Sequence, residues 1–280
     1  MIVALDIETV FRKKYSITDL GLDRYLMHPD FRITLISIVA EDGFEWVGKP
    51  QDMPADRLNG HTLISHNAEF DSVCARAAIT KGQMPQFMPA DWICTADMAS
   101  YHQLPRPLSS VYKELFDEEL SKDAREQMAG LSVEDIQANS NFINYALEDS
   151  RACLRVYREL DVGFSRKERT LSAITRRIAN RGLPIDGPLC QQFIEKMEKV
   201  LNDTPRQTTL WRQANLAHTT LEKLIMGQRM DRRVPTRLKY CGAPHTKRWS
   251  GAGLINFQAI PNDKVEGISV RECLKTPPGR

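Results

Sequence analysis

The chain is expected to fold as α/β, a mixed sheet with flanking helices followed by a mainly helical region. Three observations carry this expectation. Met1–Leu5 is a short apolar run with β-branched members, the mark of a buried strand. Ile33–Ala40 and Gly43–Val47 read as consecutive strands about the turn Glu41-Asp42-Gly43. Phe142, Tyr145, Ala146, Asp149, Cys153 and Val156 recur near one face of a helix, which sets Tyr145 and Asp149 one turn apart.

The remaining elements follow in order. Thr62–Ser65 is a short strand that delivers His66 and Asn67 to the sheet edge. Asp71–Ala78 reads as a helix, because small, good helix formers dominate and no Pro or Gly interrupts. Residues 82 to 108 are rich in Pro and Met and read as loops, with a strand near Trp92–Thr95 and a helix around Ala96–His102. Residues 109 to 120 look helical, whereas Ser121–Asn141 is polar and ambiguous; Glu114, Glu118, Lys122 and Arg125 read as a solvated face. The helix holding Tyr145 and Asp149 runs to about Leu160, where Asp161-Val162-Gly163 ends it.

A basic helix from Ser165 to Asn180 comes next, with Ala173, Ile174 and Ile178 inward, Arg166, Arg169, Arg176 and Arg177 largely outward, and Gly182 as its stop. A turn and strand at Leu183–Asp186 lead to a long helix from Pro188 to about Asn202. From Pro205 to Ala243 the pattern is helical but interrupted.

Charge divides the 280 residues unevenly. Residues 1–163 hold 16 Lys+Arg against 26 Asp+Glu, a balance of −10; residues 164–280 hold 22 against 10, a balance of +12. An acidic half suits metal binding and a basic half suits phosphate backbones. The ordinary reading of any single basic cluster is a solvated surface. Six cysteines, at 74, 94, 153, 190, 241 and 273, show no C-x-x-C pair or metal-finger spacing, so a reducing compartment is expected. No run approaches a membrane span and Asp6 comes too early for a signal peptide. The expected location is cytoplasmic, in a host cytoplasm if the chain is viral, with no membrane partner.

Four carboxylates in three short motifs carry the chemistry. They are Asp6 and Glu8 in Val3-Ala4-Leu5-Asp6-Ile7-Glu8-Thr9, Asp71 in His66-Asn67-Ala68-Glu69-Phe70-Asp71, and Asp149 in Tyr145-Ala146-Leu147-Glu148-Asp149. Period 2 puts Asp6 and Glu8 on one side of the first strand. Two divalent cations about 4 Å apart need such acidic oxygens, and once held they activate water and stabilise the leaving oxygen of an in-line displacement. Each motif has an ordinary reading too: a solvated strand end for Asp6 and Glu8, a helix cap for Asp71, a core aromatic with a polar tip for Tyr145.

Taken together, Asp6, Glu8, Asn67, Asp71, Tyr145 and Asp149 resemble the tyrosine-bearing subgroup of the DEDD 3′–5′ exonuclease superfamily, over roughly residues 1–162. That resemblance implies a ribonuclease H-like architecture, two Mg²⁺ or Mn²⁺ ions held by the four acids, and an attacking water oriented by Tyr145. Asn67 and Phe70 are the implied substrate contacts here, with Tyr101 and His102 as further stacking candidates.

The second half carries a separate resemblance. Thr246-Lys247-Arg248-Trp249-Ser250-Gly251, followed by Asn256-Phe257-Gln258-Ala259-Ile260-Pro261, is similar to the segment of family A DNA polymerases that leads from thumb into palm. Arg181-Gly182-Leu183-Pro184-Ile185-Asp186 is similar to a turn early in those domains, especially in phage enzymes. Arg248 matches an arginine that reads the primer minor groove; Ala259 departs from the family, where Asn is usual.

The resemblance therefore implies an exonuclease domain, 1–162, joined to a partial polymerase region of thumb and palm start, 163–280. Pro277-Pro278-Gly279-Arg280 matches the step before the strand bearing the first polymerase aspartate. A split or truncated polymerase is expected, with proofreading of single-stranded DNA 3′ ends and primer-template as its activity. A second polypeptide would carry palm and fingers, and residues from about 205 onward would pack poorly without it. The rival readings are an RNA-trimming exonuclease and a noncatalytic assembly module.

Overall fold

In the computed structural model, residues 1–121, 123–243 and 246–275 are described. Lys122 of the expected solvated face and the Pro277–Arg280 step lie outside them. Two compact units divide the chain: Met1–Ile174 with Tyr240–Arg248, and Thr175–Lys239 with Trp249 onward.

The first unit holds β1 (Ile2–Thr9), α1 (Ile17–Leu20), α2 (Leu22–Met27), β2 (Ile33–Ala40), β3 (Glu45–Gly48), β4 (Thr62–Ser65), α3 (Ala68–Thr80), β5 (Asp91–Cys94), α4 (Thr95–Tyr101), α5 (Leu108–Phe116), α6 (Asp123–Gln127), α7 (Val133–Ala138), α8 (Ser140–Leu160) and the start of α9 (Arg166–Arg181). Its five-stranded sheet has the order β3-β2-β1-β4-β5. β1 pairs antiparallel with β2 and parallel with β4, and β4 pairs parallel with β5. The expected mixed sheet with flanking helices is thus the observed one. Every residue of β2 is buried, which explains its unbroken apolar run. β4 pairs only with Ile2, Val3 and Ala4, so the second half of β1 has one edge left for other groups.

One core cluster lies around Leu5, Ile7, Tyr25, Phe31 and Leu63, and another around Ile64, Met98, Val111, Val156 and Phe164. Of the proposed stacking residues, Tyr101 sets its ring edge-on to Phe164, centroids 5.4 Å apart, and His102 Nε2 lies 3.0 Å from the Leu160 carbonyl. Both are engaged in packing. The basic helix differs from expectation at Ile178, which is 44% exposed. α9 instead buries Ser172, Thr175 and Ala179. Ser172 Oγ donates to Asp97 Oδ2 at 2.7 Å, and Arg106 pairs with the other oxygen of Asp97 at 2.9 Å.

The second unit holds β6 (Leu183–Pro184), α10 (Gly187–Asp203), α11 (Thr209–Gly227) and β7 (Arg233–Val234). Strand β8 (Lys239–Ala243) then returns the chain to the first unit, and β9 (Arg248–Ser250) follows. α10 buries Cys190, Phe193, Ile194 and Met197, and α11 buries Ala214, Ala217, Leu221 and Leu224, an i, i+3, i+4, i+7 stripe on each. Ile255, Val265, Val270 and Cys273 join the same cluster. The expectation of poor packing beyond residue 205 fails for these residues, because the segment after β9 folds back onto the helix pair. Gly182 ends α9 with φ +70°, its N–H donating to Ile178 O at 3.1 Å. A Cβ there would lie 2.4 Å from the Val234 carbonyl oxygen, so both conformation and space require glycine.

Candidate active site

β1 and α8 meet where three acids converge. One oxygen from each of Asp6, Glu8 and Asp149 lies within 4.8 Å of the other two. Two hydroxyls set this meeting. Ser37 on β2 is the register partner of Asp6, and its Oγ donates to the Ala146 carbonyl at 2.6 Å. With its one proton so used, it accepts from Ser150 Oγ at 2.7 Å. α8 is thereby fixed on the sheet with Asp149, one residue before Ser150, at the acid end of β1.

Asp71 comes from the first turn of α3 and is 1% exposed. Asn67 caps that helix in the left-handed conformation, φ 88°, which Asn tolerates better than most residues, and is itself exposed. Asn67 holds the N-cap position without a capping hydrogen bond from its side chain, so the ordinary reading of Asp71 as the cap does not apply. Backbone N–H groups of Asp71 itself and of Ile7 face the Asp71 carboxylate. Its Oδ1 is buried with no hydrogen-bond partner among the described residues.

Burial, reinforced by mutual repulsion, holds these acids toward their neutral forms. Burial pushes Asp6 well above the carboxylate range, with Glu8, Asp71 and Asp149 adding to the shift. Asp71 is likewise raised by burial and by Glu8. Glu8 is pushed up to about 7, chiefly by burial with Asp149 adding, and Asp149 to about 6, again chiefly by burial. The Tyr145 hydroxyl lies beside Asp149, and burial together with the Asp149 and Glu8 charges keeps it protonated. Such a set of carboxylates either takes up protons or holds cations.

The other sequence candidates fall elsewhere. Phe70 is half-buried against the core cluster of Leu5 and Phe31. Arg248 is exposed on β9 and is not part of the acid cluster. His66 is structural: Nδ1 lies 2.9 Å from Thr95 Oγ1 and Nε2 lies 2.5 Å from the Arg106 carbonyl, and burial lowers it to about 4. One residue escaped the sequence reading. Arg125 on α6 is exposed, as a solvated face requires, but its charge also bears on Asp6, Glu8 and Asp149.

Fold and site together define a class: an α/β chain with a mixed five-stranded sheet, flanking helices and an acid cluster at the end of β1. No protein-family model matches the chain. In sequence it is 24% identical to the DNA polymerase of Bacillus phage SP02, over 98% of this chain and 53% of that protein. In structure, the POL domain of Pol1 from M. smegmatis, in complex with DNA primer-template and dNTP, matches with a TM-score of 0.63 and 15% identity. That match covers 99% of this chain and 55% of the other. Escherichia coli RNase D matches with a TM-score of 0.46 and 16% identity, over 81% of this chain and 59% of its own. The chain spans about half the length of the two polymerase relatives.

Proposed function

We propose that residues 1–162 are a metal-dependent 3′–5′ exonuclease acting on DNA, the proofreading part of a polymerase, and that residues 163–280 are a partial polymerase region. The convergence of Asp6, Glu8 and Asp149, with Asp71 beside them, carries this reading. The donor set fits divalent cations: all ligands are hard carboxylate oxygens, and the buried Asp71 Oδ1 lacks any partner among the described residues. Asp6, Glu8, Asp71 and Asp149 would hold two Mg²⁺ or Mn²⁺ ions. Bound there, the ions supply charge stabilisation to the phosphate and the leaving oxygen.

The chain's own groups do the positioning. Tyr145 stays a neutral donor at any working pH, and its hydroxyl, one turn from Asp149, is placed to orient the attacking water. Asn67, exposed at the head of α3, is placed to meet the nucleotide ahead of Asp71. DNA single-stranded 3′ ends and primer-template are the proposed substrates, and a polypeptide carrying palm and fingers is the proposed partner; the similarity to the phage polymerase supports both.

The test is digestion of 5′-labelled single-stranded DNA and RNA by purified chain 1–280 in Mg²⁺, in Mn²⁺ and in excess chelator. We expect stepwise loss of 3′ nucleotides from DNA, abolished by the chelator. No digestion of either polymer sinks the nuclease reading and leaves an assembly module; exclusive digestion of RNA moves the substrate to RNA. Nucleotide incorporation on a primed template by this chain alone would overturn the assignment of 163–280.

A further inference from the structure

Arg125 differs from four well-anchored arginines of the first unit. Arg106 bonds Asp97, Arg151 bonds Glu45 and Glu148, Arg155 bonds Glu118, and Arg169 bonds Asp161. Arg125 is exposed, and its side chain has no hydrogen bond or ion pair among the described residues. Its positive charge nonetheless bears on Asp6, Glu8 and Asp149.

Its place is fixed by packing. On α6, Ala124 is half-buried and Met128, just past the helix, is 2% exposed; both lie in the cluster of Leu35, Phe142, Ala146 and Tyr145. Met128 N–H donates back to Ala124 O at 3.1 Å, and Gly130 N–H donates to Phe11 O at 2.9 Å, two residues beyond β1. The segment from Ala124 to Gly130 is therefore seated between the end of β1 and the stretch of α8 that carries Tyr145, which is the end of the sheet where Asp6, Glu8 and Asp149 meet.

We propose that Arg125 is a phosphate-binding residue, whose guanidinium grips non-bridging oxygens of the substrate phosphate that sits against the Asp6, Glu8 and Asp149 cluster. A guanidinium whose charge bears on several carboxylates but that is bonded to none of them can take a group that both sides bind. Two divalent cations cancel four carboxylates, and the phosphodiester then brings one negative charge, which one arginine balances. The planar fork of donors matches a phosphate bidentately, as an ammonium does not. The inference rests on the exonuclease reading for the identity of the substrate, but phosphate binding itself can be read without turnover.

The experiment uses the full chain, wild type and the variants Arg125→Lys and Arg125→Ala, with thermal melts as the check on folding. Calorimetry in Mg²⁺ measures binding of thymidine 5′-monophosphate and of thymidine. We expect Arg125→Ala to weaken the monophosphate by about 10- to 100-fold, to leave thymidine unchanged, and to raise KM for the oligonucleotide more than it lowers kcat; Arg125→Lys should fall between. Equal affinity of wild type and Arg125→Ala for the monophosphate overturns the proposal. So does an equal loss in both variants accompanied by a shift only in the Mg²⁺ midpoint, which would make Arg125 a counter-ion of the acids. Loss of monophosphate binding in a chain whose wild type digests no polymer would uphold the phosphate site and reject the nuclease reading.

Discussion

The first unit gathers four carboxylates that no cation answers among the described residues; the second gathers positive charge and binds part of it to its own backbone. Asp6, Glu8, Asp71 and Asp149 come from a strand and two helices, and none is ion-paired among the described residues. In the second unit Arg229 donates to the carbonyls of Asn180 and Arg181 at 2.7 and 2.8 Å, Arg233 to those of Arg181 and Gly182 at 3.0 Å, and Arg237 to Asn180 Oδ1 at 2.9 Å. The contacts of Arg229 and Arg233 satisfy carbonyls that α9 leaves open at its end. A charge surplus in the sequence therefore has two meanings, and only packing separates them. The acids are held against electrostatic cost, as a site must be; two of the arginines close a helix.

The sharpest way to break this contrast is to remove the acids. Asp6→Ala with Glu8→Ala should lower 3′ digestion by more than about 10³-fold, with circular dichroism and melting of the chain intact, because both residues lie at the end of β1. Undiminished digestion by the folded double variant would mean that the cluster is not the site. Tyr145→Phe asks less of the site. It should fold normally and lose about 10²-fold in kcat with little change in KM, and a single-turnover rate equal to wild type would return Tyr145 to a packing role.

The second unit is better probed through its backbone. Gly182→Ala forces a left-handed alanine into the Val234 carbonyl and should destabilise that unit on the order of 2–4 kcal/mol. Hydrogen exchange should rise in α10 and α11 while β1 and β2 keep their protection. An unaltered exchange pattern would show that the turn relaxes freely.

The smallest effect is a pH dependence. Glu8 and Asp149 are raised to about 7 and about 6, so folding favours their neutral forms. That stability is full below the ordinary carboxylate values, near 4, and is lost as pH rises through about 6 and 7. In chelator, the melting temperature of wild type should fall between pH 5 and pH 8 relative to that of Asp6→Asn with Glu8→Gln, and Mg²⁺ should close the gap at the upper end. Parallel melting curves across this range would show that the acids are already neutralised from within.

Much of the first unit was legible in the sequence because its periods are clean. Ile33–Ala40 and Thr62–Ser65 match the observed strands residue for residue, and the Phe142–Val156 stripe marks α8. The carboxylate motifs were legible for the same reason, each being local. Ile178 was misplaced because α9 is drawn inward by hydrogen bonds of Ser172, which hydropathy does not register. Arg125 gave no sign beyond the spacing of Ala124 and Met128, since its neighbours Asp6 and Glu8 lie more than a hundred residues away in a sequence stretch without a period. The packing of residues after 205 escaped notice because Ile255, Val265 and Val270 stand in irregular chain, where apolar residues have no repeat to reveal them.

The Ser37 clamp on α8 has a consequence for tolerance to change. Each residue of a helix advances 100° about the axis, so the accuracy of the acid cluster is angular before it is a matter of distance. With Ala146 and Ser150 both pinned, Asp149 has one permitted bearing. A single-residue insertion between Tyr145 and Ala146 would swing Tyr145 away while leaving Asp149 in place, whereas one between Ala146 and Ser150 would set the two hydroxyl contacts against each other. This one turn of helix is a keyed shaft.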